Sequence, residues 1–313
     1  MVDGWYVAEA RFPAKPMARL VYYACLAPST RNSQPWKFVA ASSDIDVFAD
    51  RSRWLRSVDP EARELHLSVG CAIEALRIAA DHAGYGTETA YFPVEHDDSL
   101  VARVTVALGG PKRDAAAADL LKPLVTRHTS RRLFDPAKPV SEADRKYLYR
   151  CFEFGDVSLH FLHERAGLDA LAALEERAKT RLLERPGYRR EAHPGLGALP
   201  LGHLLLSRHP HGDAERVASA PLVALLTTRH DLRIDQVRAG EAFMRLALVA
   251  EARDIRVQPM TQILEANESH AELAHLFGSG GRVAQHLFRM GHAEAESRGA
   301  RRRPLDSVLI QAG

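Results

Sequence analysis

The sequence predicts an α+β fold in which the second half of the chain repeats elements of the first. Two observations support this: apolar stripes with helical spacing alternate with short strand-like runs, and several of these segments recur in the same order. The chain has 313 residues, of which 46% are hydrophobic and 26% charged. It is therefore long enough for a sizeable core and has an ordinary globular balance.

The first half contains five regular segments that its pattern predicts. A helix over about 15–26 precedes two strand candidates, at 36–40 and 45–49. Asp59 and Pro60 are then typical of a helix N-terminus. The helix that follows carries an apolar stripe made of Leu65, Val69, Ala72, Ile73, Leu76 and Ala80. The run at 101–110 predicts a further strand.

Much of this order returns later in the chain. Residues 222–233 resemble residues 45–56. Gly70 matches Gly240 at an offset of 170 positions, and four further pairs of residues in the two predicted helices share this offset. The run at 286–292 corresponds to the strand that ends at Gly109, and the tetrapeptide PAKP at 13–16 recurs at 136–139. Two amphipathic helices can match by chance, but several matches in one order favour internal duplication. We predict one half at 1–110 and a second at 111–313.

The second half carries an insertion at about 163–220. It begins as a charged helix and continues into a stretch rich in glycine and proline, which predicts a loop with helical pieces. An excursion of this length is usually functional, mobile or both.

Charge and cysteine content exclude several classes of protein. The formal net charge of +2 gives no reason to expect nucleic-acid binding. Cys25, Cys71 and Cys151 are widely spaced and form neither a disulfide framework nor a paired metal motif, which favours a reducing cytoplasm. No run reaches the roughly 18 apolar residues of a membrane span, and the first residues do not read as a signal peptide. His209, His211 and Asp213 offer too few ligands for a closed metal site, so we predict none.

The most distinctive segment leaves the first helix and enters the first strand. It reads Ala27-Pro28-Ser29-Thr30-Arg31-Asn32-Ser33-Gln34-Pro35-Trp36-Lys37-Phe38. Short polar side chains and backbone N–H groups at such a connection suit the hydrogen-bonding edge of a flat heterocycle. Judged on spacing alone, a polar turn remains an equally ordinary interpretation.

Two arginine-rich segments lie further along the chain. In an extended backbone Arg127, Thr129 and Arg131 share one face, and guanidinium groups bind phosphate oxygens in a bidentate manner. A solvated basic run is the alternative interpretation. Three arginines at 301–303 precede the apolar residues 308–310, which predicts that the C-terminal tail packs against the protein.

Together these motifs resemble the nitroreductase superfamily of FMN flavoproteins, and its Acg-type branch in particular. The resemblance covers nearly the whole chain and is carried by the PS-x-x-N-x-QPW-x-F run, the R-x-T-x-R segment and the RRPLD tail. It implies a nitroreductase-like fold with two tandem half-domains that form a pseudo-dimer. In ordinary members two subunits share each FMN; here the first half has the PS-x-x-N motif and the second the R-x-T-x-R motif. A single FMN between the halves is therefore expected, in a monomer or a homodimer.

The resemblance also implies which residues hold the cofactor. They are Pro28, Ser29, Thr30, Asn32, Arg127, His128, Thr129, Arg131, Gln258 and either Arg301 or Arg303. Arg127 and the tail arginine would neutralise the phosphate, and Arg131 would lie near the flavin N1/O2 edge. The backbone around Gln258 would lie where the family bonds flavin N5.

The implied activity is that of an FMN-dependent NAD(P)H oxidoreductase with a ping-pong mechanism. Hydride would pass from NAD(P)H through flavin N5 to an electron-poor acceptor such as a nitroaromatic or a quinone. An insertion folded over the flavin would instead favour a flavin-sequestering or sensing protein with little turnover. Specialised flavin chemistry is a third possibility. Neither nucleic acid nor a membrane is an expected partner.

Overall fold

Two β-sheets, one from each half of the chain, form the frame of the molecule. The computed structural model describes residues 12–110, 120–135, 137–152, 154–192, 212–266, 269–294 and 300–310. The first sheet contains β1 (Trp36–Ala40), β2 (Asp44–Ala49), β3 (Tyr85–Tyr91) and β4 (Leu100–Leu108), and the second contains β5 (Val157–Leu162), β6 (Leu222–Thr228), β7 (Arg256–Pro259) and β8 (Val283–Gly291). The first sheet has the order β3-β4-β2-β1-β9, where β9 (Leu309–Ile310) comes from the C-terminal tail, and the second has the order β7-β8-β6-β5. Strands β1–β4 and β5–β8 therefore follow the same scheme. Adjacent strands within these two sets are antiparallel.

Helices pack between and outside the sheets. Those of the first half are α1 (Pro16–Ala24) and α2 (Arg63–His82). They are followed by α3 (Leu121–Thr126), α4 (Glu142–Arg150), α5 (Arg165–Glu184), α6 (Pro186–Ala192), α7 (Asp213–Ala218), α8 (Arg233–Glu251), α9 (Gln262–Glu265) and α10 (His270–Leu276). Three short 3-10 turns span Thr30–Asn32, Arg51–Arg53 and Leu305–Ser307.

The two halves meet where α2 crosses α8, and a glycine on each helix permits the approach. A Cβ on Gly70 would collide with the carbonyl oxygen of Val237, and a Cβ on Gly240 would collide with that of Leu67. The two contacts are reciprocal, because 170 positions separate both Gly70 from Gly240 and Leu67 from Val237. An isologous interface between two copies of one unit has this property.

The apolar core has two parts. The larger one surrounds the α2–α8 crossing and includes the inner faces of both sheets, with fully buried Trp36, Phe38 and Phe288. The smaller one lies on the other face of the second sheet, where α5 and α6 of the predicted insertion pack through Leu171, Leu174 and Tyr188. The described part of the insertion therefore forms a packed layer.

The α+β class predicted from the sequence is confirmed, with differences in individual elements. The predicted strand at 36–40 coincides with β1, whereas β3 was missed because its Gly, Thr and Glu residues give no apolar alternation. The insertion lies between β5 and β6 and begins with α5, as expected; residues 193–211 lie outside the described residues. The boundary predicted between 110 and 111 adjoins residues 111–119, which are also outside, and stays a prediction.

The predicted start of α2 was wrong by about three residues. The helix begins at Arg63, and Asp59 caps it from outside by accepting hydrogen bonds from the backbone N–H groups of Glu64 (3.1 Å) and Leu65 (2.9 Å). Asp59 is buried, and burial followed by the nearby Glu64 charge raises the pKa of Asp59 to about 6. The cap therefore holds its proton more tightly in the folded protein than in the unfolded chain.

Replacing Gly240 with Ala tests the close crossing of the two helices. We expect the free energy of unfolding to fall by about 1–3 kcal/mol, because a backbone carbonyl cannot move aside as a flexible side chain can. Chemical denaturation of the variant measures this loss. Gly155→Ala is the control, since a Cβ there meets no atom within 4 Å. Equal stability of the two variants would contradict the crossing.

Replacing Asp59 with Asn tests the buried cap, because the amide oxygen still accepts a hydrogen bond but does not ionise. The raised pKa of Asp59 means that its stabilisation is complete below the unfolded value of 3.8 and is lost as the pH rises through about 6. We expect the unfolding free energy of the wild type, relative to Asp59→Asn, to fall by up to about 3 kcal/mol between pH 4 and 7. A constant difference across this range would rule out the elevated pKa.

Candidate functional site

The connection between α1 and β1, which carries the Pro-Ser-Thr-Arg-Asn motif, has an unusual backbone. Arg31, Asn32 and Gln34 have φ angles of 51°, 56° and 50°, in the left-handed region that non-glycine residues seldom occupy. The Ser29 hydroxyl accepts a hydrogen bond from the Gln34 N–H at 2.9 Å. Such conformations persist where the surroundings hold them, and they are common at ligand sites.

The motif rests on the N-terminal half of α2. The Thr30 hydroxyl donates to Glu64 Oε2 at 2.6 Å, and the Thr30 N–H donates to Ser68 Oγ at 3.3 Å. Glu64 and Ser68 are each 1% exposed. Sequence reasoning did not select these two supporting residues, because nothing in the helical pattern distinguishes a polar residue that holds a loop from one that faces solvent.

The C-terminal tail packs against the same motif, as its apolar end predicted. The Asn32 amide donates to the Arg301 carbonyl oxygen at 2.9 Å, and the Gln34 side chain accepts from the Arg303 N–H at 2.8 Å. Beyond them β9 (Leu309–Ile310) pairs in parallel with β1. The tail therefore leaves the second sheet, crosses the motif and ends in the first sheet.

The Arg127 segment lies against the edge of the second sheet. Thr129 pairs in parallel with Val257 of β7, and the Ser130 N–H donates to the Val257 carbonyl oxygen at 3.3 Å. Arg127 is 8% exposed, whereas Arg131 is an exposed residue. Arg127 and Arg131 thus differ sharply in burial, although their spacing in an extended backbone predicted a shared face.

A buried positive centre links this segment to the tail. Burial lowers the pKa of Arg127, and burial together with the charge of Arg127 lowers the pKa of Arg302 to about 10. Arg302 in turn donates to Asn32 Oδ1 at 3.2 Å and to the Leu26 carbonyl oxygen at 2.9 Å. The structure therefore brings the predicted Pro-Ser-Thr-Arg-Asn motif and the predicted Arg127 segment to one place.

Three buried nitrogens at this centre have no hydrogen-bond partner in the described part of the chain. They are Nε of Arg127, Nε of Arg302 and Nε2 of His128. A buried donor without an acceptor is costly, and native structures usually provide one from protein, water or ligand. Two guanidinium groups and an imidazole suit an oxyanion, and a phosphomonoester fits this donor set.

The tail arginine at this centre is Arg302, which the sequence analysis did not select. Arg301 is exposed, and Arg303 is engaged by the Gln34 carbonyl oxygen (3.0 Å), Asp50 Oδ2 (3.3 Å) and the Ser307 carbonyl oxygen (2.9 Å). Three consecutive arginines carry no periodicity, so the sequence could not tell which guanidinium binds the Asn32 side chain and the Leu26 carbonyl oxygen.

Most hydrogen-bonding groups around Gln258 already form hydrogen bonds within the second sheet. The Gln258 side chain accepts from Nε of the buried Arg289 at 2.7 Å, and the Met260 N–H donates to the Leu287 carbonyl oxygen at 2.8 Å. Pro259 has no N–H. Neither Pro259 nor Met260 therefore offers a free backbone donor here, and the expected N5 contact at this position stays a prediction.

The insertion reaches the motif from the second half. Arg31 donates to the Ala192 carbonyl oxygen (3.1 Å) and to the Tyr188 hydroxyl (3.0 Å), and Tyr188 donates to Glu265 Oε2 at 2.7 Å. Burial raises the pKa of both Tyr188 and Glu265. A second attachment joins Glu191 Oε2 to the Ser57 N–H at 2.7 Å. Helix α6 is thus fixed to the first half at two points.

The described residues contain neither a metal-binding cluster nor a membrane-spanning helix. No group of three or more His, Cys, Asp or Glu side chains could hold a metal ion in the ranges given above; His209 and His211 lie outside them. In the same ranges, no helix has both the length and the apolar character that crossing a membrane requires.

Comparisons with known proteins find relatives that are named as nitroreductases. No family model matches it. A Mycobacterium tuberculosis protein named "Putative NAD(P)H nitroreductase" is 28% identical over 308 residues, which cover 91% of this chain and 88% of that protein. "Probable NAD(P)H nitroreductase PigM" of a Serratia species is 29% identical over 143 residues, 43% of this chain and 38% of its own.

A solved structure extends the likeness to the fold. The crystal structure of "a putative nitroreductase" from Anabaena variabilis covers 88% of this chain and 87% of its own, with a TM-score of 0.52 and 11% identity. At this identity the match concerns the fold. The chain is thus similar over most of its length to a protein named as a nitroreductase, and it shares the fold of another.

Proposed function

We propose that the protein is an FMN-dependent NAD(P)H oxidoreductase that holds one FMN between the two halves of the chain. The observation that carries the proposal is the positive centre beside the Pro-Ser-Thr-Arg-Asn motif, where Arg302 binds Asn32 and the charge of Arg127 lowers the pKa of Arg302. The named activity of the mycobacterial and Serratia relatives supports the same conclusion.

The assignment divides the contacts with the cofactor between the halves. Arg127 and Arg302 would bind its phosphate, with His128 and Thr129 beside them; Arg302 takes the role that the sequence analysis gave to Arg301 or Arg303. Pro28, Ser29, Thr30 and Asn32 would approach from the first half. Arg131 and Gln258 keep the positions near the flavin ring that the resemblance implies.

When bound, FMN supplies two-electron chemistry between NAD(P)H and an electron-poor acceptor. The residues of the chain then need only bind, orient and shield it. Buried guanidinium groups fix the phosphate, and Thr30 is held in place by Glu64 and Ser68. The exposed Arg131 supplies a cation that would favour negative charge on a reduced ring nearby.

A visible spectrum of the purified protein, followed by anaerobic reduction, tests the function. We expect flavin absorbance that NADH or NADPH bleaches and that a nitroaromatic or a quinone restores. Bleaching with no return on addition of either acceptor would favour a flavin-sequestering protein instead. A colourless protein that gains no absorbance on titration with FMN would contradict the proposal.

Replacing Arg127 with Ala should weaken FMN binding. Loss of a charge-assisted phosphate contact costs about 1.5–3 kcal/mol, which raises the dissociation constant by about tenfold to 150-fold. Fluorescence titration of the apoprotein with FMN measures this change. Ser33→Ala lies in the same motif but outside the assigned contacts, and it should leave the constant within about twofold. Equal effects of the two substitutions would refute the residue assignment.

We further propose that the insertion restricts access to the flavin, because α6 is fixed to the motif through Tyr188 and to the adjacent loop through Glu191. The double substitution Tyr188→Phe and Glu191→Ala removes the hydrogen bond from Arg31 to Tyr188 and the two that Glu191 Oε2 accepts from the Ser57 and Val58 N–H groups. It should raise steady-state turnover of a small quinone severalfold at unchanged FMN content. Glu184→Ala, an exposed change at the end of α5, is the control. Unchanged turnover in the double variant would count against restricted access.

A further inference from the structure

A second charged cavity lies between α2, α8 and the connection from α4 to β5. Its volume is about 150 Å3. Three arginines from the two helices line it, and the connection supplies the remaining lining residues. The full set is Arg77, Arg238, Arg245, Phe154, Gly155, Asp156 and Val157. We call it the three-arginine cavity.

The three-arginine cavity occupies the place in the second half that the candidate flavin site occupies in the first. Arg238 and Ser68 are separated by the same 170 positions as the two crossing glycines, and Ser68 is the residue that supports Thr30. The α1–β1 connection spans 25–35, whereas the α4–β5 connection spans only 151–156 and lacks the Pro-Ser-Thr-Arg-Asn motif. The shorter connection leaves a smaller space, which is lined by arginines.

The inner wall carries more arginines than carboxylates. Glu74 and Glu241 are fully buried beside the three arginines, and the exposed Asp156 supplies a third carboxylate, so the formal charges around the whole space are equal. Arg245 Nε donates to Glu74 Oε1 at 2.8 Å. Arg238 Nη1 lies 3.3 Å from Glu241 Oε2 and 3.1 Å from the Tyr91 hydroxyl. Tyr91 stays neutral, because burial raises its pKa.

Of the three arginines, Arg77 has the longest contacts with its carboxylate partners. Its Nη1 lies 3.7 Å from Glu74 Oε2 and 3.5 Å from Glu241 Oε2, and its buried Nε has no hydrogen-bond partner among the described residues. At the mouth, Asp156 is exposed and contributes the opposing carboxylate, while its carbonyl oxygen accepts from Arg282 at 3.1 Å. Arg77 therefore keeps one buried donor for which the described residues provide no acceptor.

We propose that the three-arginine cavity binds a phosphate-sized oxyanion, as a site separate from the flavin site. Guanidinium groups from two helices converge on it, and Arg is the residue that binds phosphate oxygens in a bidentate manner. The volume is about half the roughly 300 Å3 at which pockets for larger ligands begin, and one water takes about 30 Å3. A phosphate group with one or two waters fits, whereas a second flavin does not.

Calorimetric titration of the full-length protein with inorganic phosphate, at constant ionic strength set with NaCl, tests the proposal. Arg127→Ala is titrated alongside the wild type, because it removes the positive centre of the flavin site. We expect Arg127→Ala to bind one phosphate saturably. We expect the dissociation constant for phosphate to be at least tenfold higher in Arg238→Met than in the wild type. Arg150→Met, an exposed arginine at the end of α4, is the charge-matched control and should bind as the wild type does.

A second pair of variants keeps the test valid if Arg238→Met fails to fold. Gly155 lines the cavity and has open space around it, so Gly155→Glu places a negative charge at the mouth and Gly155→Gln is its neutral match. We expect Gly155→Glu to weaken phosphate binding at least tenfold relative to Gly155→Gln. Substituting glycerol phosphate for inorganic phosphate shows whether the ligand is free phosphate or a phosphomonoester.

The outcomes separate this inference from the proposed function. Phosphate binding that disappears in Arg127→Ala and survives in Arg238→Met belongs to the flavin site and overturns the inference. Absence of saturable binding in every variant overturns it as well. Neither result bears on FMN binding, which is measured separately by absorbance.

Discussion

The approach of α2 to α8 through Gly70 and Gly240 is the constraint on which the rest of the structure depends. Because each glycine lies against a carbonyl oxygen of the other helix, the two sheets are held at a fixed separation around a shared core. That separation brings the α1–β1 connection of one half within reach of the Arg127 segment and the tail of the other. A single side chain at either glycine position would push apart the two walls of the candidate site.

The two related sides of this crossing have diverged. On one side, an eleven-residue connection carries strained non-glycine residues that Ser29, Glu64 and Ser68 hold in place. On the other, a six-residue connection leaves a small cavity that three arginines line. The C-terminal tail adds to this asymmetry, because it delivers Arg302 to the first side and ends beside β1. These differences are those we expect if a fused pair keeps the proposed flavin site on one side and binds a smaller ligand on the other.

Local pattern was enough to predict much of the fold and the two principal motifs. The apolar stripe of α2 and the strand at Trp36–Ala40 could be read directly, because burial imposes their periodicity. The start of α2 could not, since Asp59 caps the helix from several residues away. Arg302 could not be distinguished from Arg301 and Arg303, because only tertiary packing decides which of three adjacent arginines binds the Asn32 side chain. The attachment of Tyr188 to Arg31 joins residues 157 positions apart, and no local signal reports it.

The central claim is that one polypeptide supplies both sides of one flavin site. The most direct measurement is the ratio of bound FMN to protein chains at saturation, determined from flavin absorbance and protein concentration, together with the mass of the particle in solution. The account predicts one FMN per chain, whether the particle is a monomer or a dimer. A ratio of two per chain, or of one per two chains, would contradict it.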